Sequence, residues 1–245
     1  LRTHRRRALH LLAAIGVAAA TGRLLVALGA IDAQLARDTW MTPIADFFRR
    51  FGVGTALLLL ALIGLYRISD IVLGVISNVF YQDLGFTKTE IATAVKTCGV
   101  FVSIAGGFFG GLLVTRFPLM RILLLGAIVS PLAGLVFVLL AQAGHSVPLL
   151  YLAVGADNFA GGMASSAFVA FLSSLTSRSF TAVQYAIFSS LMTLLPKLIG
   201  GYAGTIVDGI GYPGFFVFTA SIGLPVGILV WLAGRRLAAA ARHSA

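Results

Sequence analysis

The sequence predicts an all-α membrane protein built as a six-span helical bundle, and three observations carry that reading. Mean hydropathy is +0.99. Of the 245 residues, 59% are hydrophobic and 11% charged, against about 25% charged in soluble domains. From Phe51 onward, six stretches are long and apolar enough to supply the roughly 20 residues a membrane-crossing helix needs.

The predicted spans cover residues 54–80, 91–114, 121–142, 148–175, 181–207 and 215–234. Pro131 lies inside the third and predicts a kink there, because proline removes a helix hydrogen bond. The connections, residues 81–88, 115–120, 143–146, 177–179 and 208–213, are short, so the spans read as hairpins without an extramembrane domain. Residues 51–236 are therefore the bundle, 1–50 a cytoplasmic linker and 237–245 a cytoplasmic tail. Within the linker, residues 9–30 are apolar apart from His10, Thr21 and Arg23. The segment from Ile44 to Phe51 mixes aromatics with Arg49 and Arg50, as suits a helix lying on a membrane surface. The chain starts at Leu1 and is read as beginning inside a larger protein.

Charge sets the orientation. The net charge of +10 would point to nucleic acid in a soluble protein. Here it follows topology: Arg49, Arg50, Arg116, Arg121, Arg178, Arg235, Arg236 and Arg242 fall on the side of the termini. The other side carries Lys88 with Asp83, Glu90 and Asp208. Positive residues mark the cytoplasmic side, which places both ends of the bundle in the cytoplasm and makes a nucleic-acid partner a poor fit. The one cysteine, Cys98, and four scattered histidines give no metal-ligand spacing, and no cofactor motif is present. No histidine falls within the six predicted spans, which leaves a membrane-embedded enzyme without a base or ligand set.

Five charged residues interrupt the spans: Arg67, Asp70, Lys96, Asp157 and Lys197. A charge at the bilayer centre costs about 2.5–3.5 kcal/mol even on lenient scales, and such residues mark pathways and binding sites. With a rise of about 1.5 Å per residue and alternating span direction, all five are expected in one layer just outward of the midplane. Three cations and two acids allow two pairs and leave one cation over, with Arg67 or Lys197 free to meet an anion. Asp70 and Asp157 are candidate proton carriers. The plainer alternatives are an Arg67–Asp70 pair neutralising itself at i, i+3, and lysines that snorkel to the interface. Gly106, Gly107, Gly110 and Gly111 on the second span, Gly161, Gly162, Ala164, Ser165 and Ser166 on the fourth, and Gly200, Gly201 and Gly204 on the fifth each read as a close-packing face. Ser190, Thr193 and Lys197 make a polar stripe on one face of the fifth span.

Two segments carry a family resemblance. Gly111-Leu-Leu-Val-Thr-Arg116-Phe-Pro-Leu-Met-Arg121 resembles the cytoplasmic loop of major facilitator transporters, with Thr115 where an acid is usual and Pro118 where a glycine is usual. The segments Asp157-Asn158-Phe-Ala-Gly-Gly-Met163 and Ser-Ala-Phe168-Val-Ala, followed by Val183-Gln184-Tyr185-Ala, resemble AmpG-type muropeptide permeases of that superfamily. Tyr66-Arg67-Ile-Ser-Asp70 and Lys96-Thr97-Cys-Gly99 match as well. The resemblance implies the six-span C-terminal half of a twelve-span fold. It also implies proton-coupled import of anhydro-muropeptides (GlcNAc-anhydroMurNAc with or without peptide) across the bacterial inner membrane for peptidoglycan recycling. On that basis Arg67, Lys96, Asn158, Gln184, Tyr185 and Lys197 are expected at the cargo, Asp70 and Asp157 in proton coupling, and Gly111, Arg116 and Arg121 in a conformational loop. The expected partners are an anionic muropeptide, protons, the bilayer and a missing N-terminal six-helix half. The alternatives are a facilitator for another solute, such as an acetyl-CoA-transporter-like protein, and a truncated half that does not transport alone.

Overall fold

The computed structural model describes residues 33–243, among which there are helices and no strand. They fall into two units divided after Arg50. The first contributes helix Ala33–Phe51, longer than the expected surface segment, with Arg49 and Arg50 in its last turn. Cations there oppose the negative end of the helix dipole, and Arg50 Nε lies 3.0 Å from Asp46 Oδ2 one turn back. The apolar segment 9–30 lies outside the described residues.

The second unit holds six helices long and apolar enough to span a membrane: Val53–Asp83, Lys88–Arg116, Leu119–Ala143, Val147–Leu175, Thr181–Gly200 and Ala203–Ala239. The all-α membrane bundle expected from the sequence is thus the observed fold. Its details differ at four places. The first span is interrupted at Tyr66–Arg67, between helices Val53–Leu65 and Ile68–Asp83, although no proline marks the site. The second opens on a capping box, in which the Thr87 hydroxyl accepts from the Glu90 N–H (3.2 Å) and the Glu90 carboxylate accepts from the Thr87 N–H (2.8 Å). It then widens to a π-helix over Ala92–Cys98.

The third span breaks at Leu135, one turn past Pro131, where the Leu135 N–H closes a tight step onto the Leu132 carbonyl at 3.1 Å. The fifth ends at Gly200, not at residue 207. The Gly201 N–H returns to the Lys197 carbonyl and the Tyr202 N–H to that of Ile199, and helix resumes at Ala203. The expected loop 208–213 is therefore mostly helical, broken at Gly211, whose φ of +70° glycine adopts most readily.

Packing explains the glycines. A Cβ on Gly110 would lie 2.5 Å from the Met163 carbonyl oxygen, and one on Gly162 would lie 2.9 Å from the Gly107 nitrogen. The second and fourth spans thus meet backbone to backbone, and the Ser166 hydroxyl donates to the Gly107 carbonyl at 2.7 Å. Gly111 and Gly204 face open space, so close packing is not their role. The fourth span also packs on the third, the third on the sixth, and the first on the fifth and sixth. Near the Asp83 end of the first span, the Ala143 end of the third and the Ala203 end of the sixth, Phe80, Phe137 and Phe216 form an aromatic core, with the Tyr212 hydroxyl donating to Asp83. The second and fifth spans are the least buried.

Candidate functional site

The break in the first span sets up the site. Arg67 leaves helical geometry (φ −103°, ψ 19°) and caps the next helix, whose first turn holds Asp70. Its Nε reaches Asp70 Oδ2 at 3.4 Å, with 28% of the arginine side chain and 14% of the aspartate side chain exposed. The other Asp70 oxygen accepts the Ser130 hydroxyl from the third span. Directly before Arg67, the Tyr66 ring stacks on Phe168 (4.5 Å, 6°) and its hydroxyl donates to the Leu123 carbonyl at 3.1 Å. Three spans therefore hold the pair in place.

Arg67 also leans toward the fourth span. Its Nη2 passes 3.8 Å from the position a Gly161 Cβ would occupy, one turn along the helix after Asp157. Asp157 is half-buried and within electrostatic reach of both Arg67 and Asp70. No buried side-chain oxygen or nitrogen lacks a partner among the described residues. The Asp157 carboxylate, which has no hydrogen bond there, is therefore not fully enclosed.

Lys197 falls at the same level. A Cβ on Gly64 would touch Leu195 and Leu191, and one on Gly200 would touch Val75, so Lys197 lies between two levels that bracket Arg67 and Asp70. It is exposed, on the face that also carries Ser190 and Thr193, whose hydroxyls bond back to their own helix. Lys96 lies on the π segment, exposed and just before Gly99, which packs against Val154 and Asn158. π-turns often occur at functional positions.

The structure brings together Arg67, Asp70 and Asp157, sets Lys197 beside them in depth, and places Lys96 nearer the Lys88 end of its span. The expectation of a single cation over is corrected. Arg67 is paired, while Lys96 and Lys197 both lack an ion-pair partner among the described residues, because neither acid is spent on a lysine. Asn158 faces inward: its amide donates to the Val154 carbonyl at 2.8 Å and packs under Gly99, which suits helix contact better than cargo. Gln184 is enclosed by the bundle. It is 1% exposed, and its carbonyl oxygen accepts the Ser177 N–H at 2.8 Å, tying down the loop before the fifth span. It and half-buried Tyr185 lie about 20 Å along the helix from Lys197, at about 1.5 Å per residue.

In the loop segment, helix ends at Arg116, Phe117 is extended, and Pro118 caps the third span. Arg116 and Arg121 are exposed, and the Thr115 hydroxyl, at the position where an acid is usual, bonds back to the Leu112 carbonyl at 2.8 Å. Ser130 is the site residue that sequence reasoning missed. Its signal was a hydroxyl directly before the proline of a span, at the depth of Asp70.

No family model matches the chain. Among curated proteins, it is 35% identical over 188 residues to the "Putative transporter AmpG 4" of Rickettsia conorii, covering 77% of this chain and 45% of that protein. It is 34% identical over 182 residues to the "Putative transporter AmpG 1" of Rickettsia prowazekii, covering 73% and 41%. It is 32% identical over 197 residues to the "Anhydromuropeptide permease" of Escherichia coli K12, covering 80% and 39%. The chain spans less than half the length of these relatives. With its six apolar helices it is a multi-pass membrane protein, and about three quarters of its sequence is similar to AmpG-type permeases.

Proposed function

We propose that this chain is the C-terminal half of a major facilitator permease. The whole protein imports anhydro-muropeptides across the bacterial inner membrane, coupled to protons, for peptidoglycan recycling. The observation that carries the reading is the charged layer: the Arg67–Asp70 pair held by Ser130, with the unbonded Asp157 carboxylate near it and Lys197 at the same depth. Exposed lysines facing hydrocarbon would be costly. Their position on the least buried spans is what a cavity closed by a second half would require. In this reading Arg67, Lys96 and Lys197 meet the carboxylates of the cargo, Asp70 and Asp157 exchange protons, and both ends of the bundle are cytoplasmic. The name of the Escherichia coli relative supports the choice of cargo.

The test is uptake of labelled GlcNAc-anhydroMurNAc and its peptide-bearing form. The full-length protein carrying this chain is expressed in cells lacking their own permease. Uptake should appear with the protein and collapse on adding a protonophore. Absence of muropeptide uptake by the well-expressed protein would refute the cargo. Uptake unaffected by the protonophore would refute the coupling.

A further inference from the structure

Away from the charged layer, the start of the third span and the end of the sixth leave a groove of about 470 Å³. Its polar lining is Arg121 and Arg235, and its apolar lining includes Met120, Leu124, Val230 and Trp231. The groove stays open because Gly234 brings no side chain, and Met120 lies 3.6 Å from where its Cβ would be. Arg235 lies over the Trp231 ring at 4.7 Å, and that ring is 51% exposed. Neither arginine has an ion-pair partner among the described residues. No acid occurs in residues 115–125 or 225–243 to compensate them.

The lining has two chemistries side by side. Two guanidinium groups match phosphate oxygens in a fork, and beside them runs an apolar surface with a tryptophan at its edge. Tryptophan favours the boundary between hydrocarbon and water, and basic pockets between spans hold acidic head groups. A free phosphate would have no use for the apolar floor. An apolar helix would leave both guanidinium groups facing hydrocarbon. We propose that this groove binds an anionic phospholipid, with its phosphate on Arg121 and Arg235 and an acyl chain along Leu124 and Val230. The inference rests on the groove lying at the membrane boundary and is independent of the solute carried.

The experiment uses the full-length protein carrying this chain, purified in neutral detergent, with Trp40 and every tryptophan outside this chain replaced by Phe, so that Trp231 reports. Phosphatidylglycerol is titrated against Trp231 fluorescence. A saturable change is expected with phosphatidylglycerol and none with phosphatidylcholine or inorganic phosphate. A basic residue near an anionic surface contributes about fivefold in binding, so Arg121→Gln with Arg235→Gln should weaken it about thirtyfold. Arg121→Lys with Arg235→Lys should keep most of the binding and controls for folding. Arg178→Gln, at the same end of the bundle but outside the groove, should bind like the parent. Equal response to phosphatidylcholine, the same change with inorganic phosphate, or equal weakening by Arg178→Gln would each overturn the proposal.

Discussion

Ser130 donates its hydroxyl hydrogen to Asp70, joining the third span to the first, while the other oxygen of the same carboxylate takes the Arg67 Nε. The acid is thus shared between a neutral donor on one helix and a cation on its own. Ser130→Ala should lower stability by about 1–3 kcal/mol, the cost of an unmade buried hydrogen bond. Asp70→Asn should cost more in uptake, since the amide still accepts from Ser130 but cannot neutralise Arg67. Its stability loss should stay below the roughly 3–5 kcal/mol of a fully buried broken pair, because 28% of the Arg67 side chain is exposed. Thermal unfolding in detergent and proton-driven uptake measure the two effects. Full uptake by Asp70→Asn would remove the residue from the mechanism.

Lys96 and Lys197, both exposed and unpaired among the described residues, are expected to act on the charge of the cargo. Replacing either by Gln should weaken uptake of peptide-bearing muropeptide more than uptake of an uncharged sugar analogue. Competition between the two cargoes in the same cells reads the ratio. Equal losses would assign the lysines to structure.

Gly110 and Gly111 are adjacent yet face different surroundings. Gly110→Ala sets a methyl 2.5 Å from the Met163 carbonyl oxygen, whereas Gly111→Ala meets nothing within 4 Å. The first should force the second and fourth spans apart at a cost of about 1–3 kcal/mol, as overpacking does. The second should leave the melting temperature unchanged. Similar melting temperatures for the two variants would contradict backbone-to-backbone packing.

Gln184→Ala removes the acceptor that holds the Ser177 N–H beneath the surface. The expected result is a less stable loop, with a loss of about 1–3 kcal/mol, and an unchanged apparent affinity for cargo in the protein that remains folded. A raised KM for uptake at normal thermal stability would restore Gln184 to the cargo site.

Orientation is checked by labelling single cysteines in a Cys98→Ala background. Positions 84 and 145 should react with a membrane-impermeant reagent added from outside, and position 178 only after the membrane is opened. Reaction at 178 from outside would invert the assignment.

The number of spans and the presence of charged residues within them were legible in the sequence, because hydrophobic length and the high cost of buried charge are local properties. The Arg67–Asp70 pair stood in the sequence only as the plainer alternative, because i, i+3 spacing allows the contact without showing which cation takes the acid. Tertiary structure alone decided what each group faces. Ser130 reaches Asp70 only because the first and third spans pack together, and Lys197 shares its depth through Gly64 and Gly200. Gln184, part of a recognisable motif, turned out to hold a loop, since burial depends on helices distant in sequence. The fifth span was read too long because apolar composition continues through Gly200 and Gly201, where the backbone turns. Composition tells a segment that it can be buried in lipid. Only the packing of other helices determines which of its side chains pair, and which are left open to a cargo.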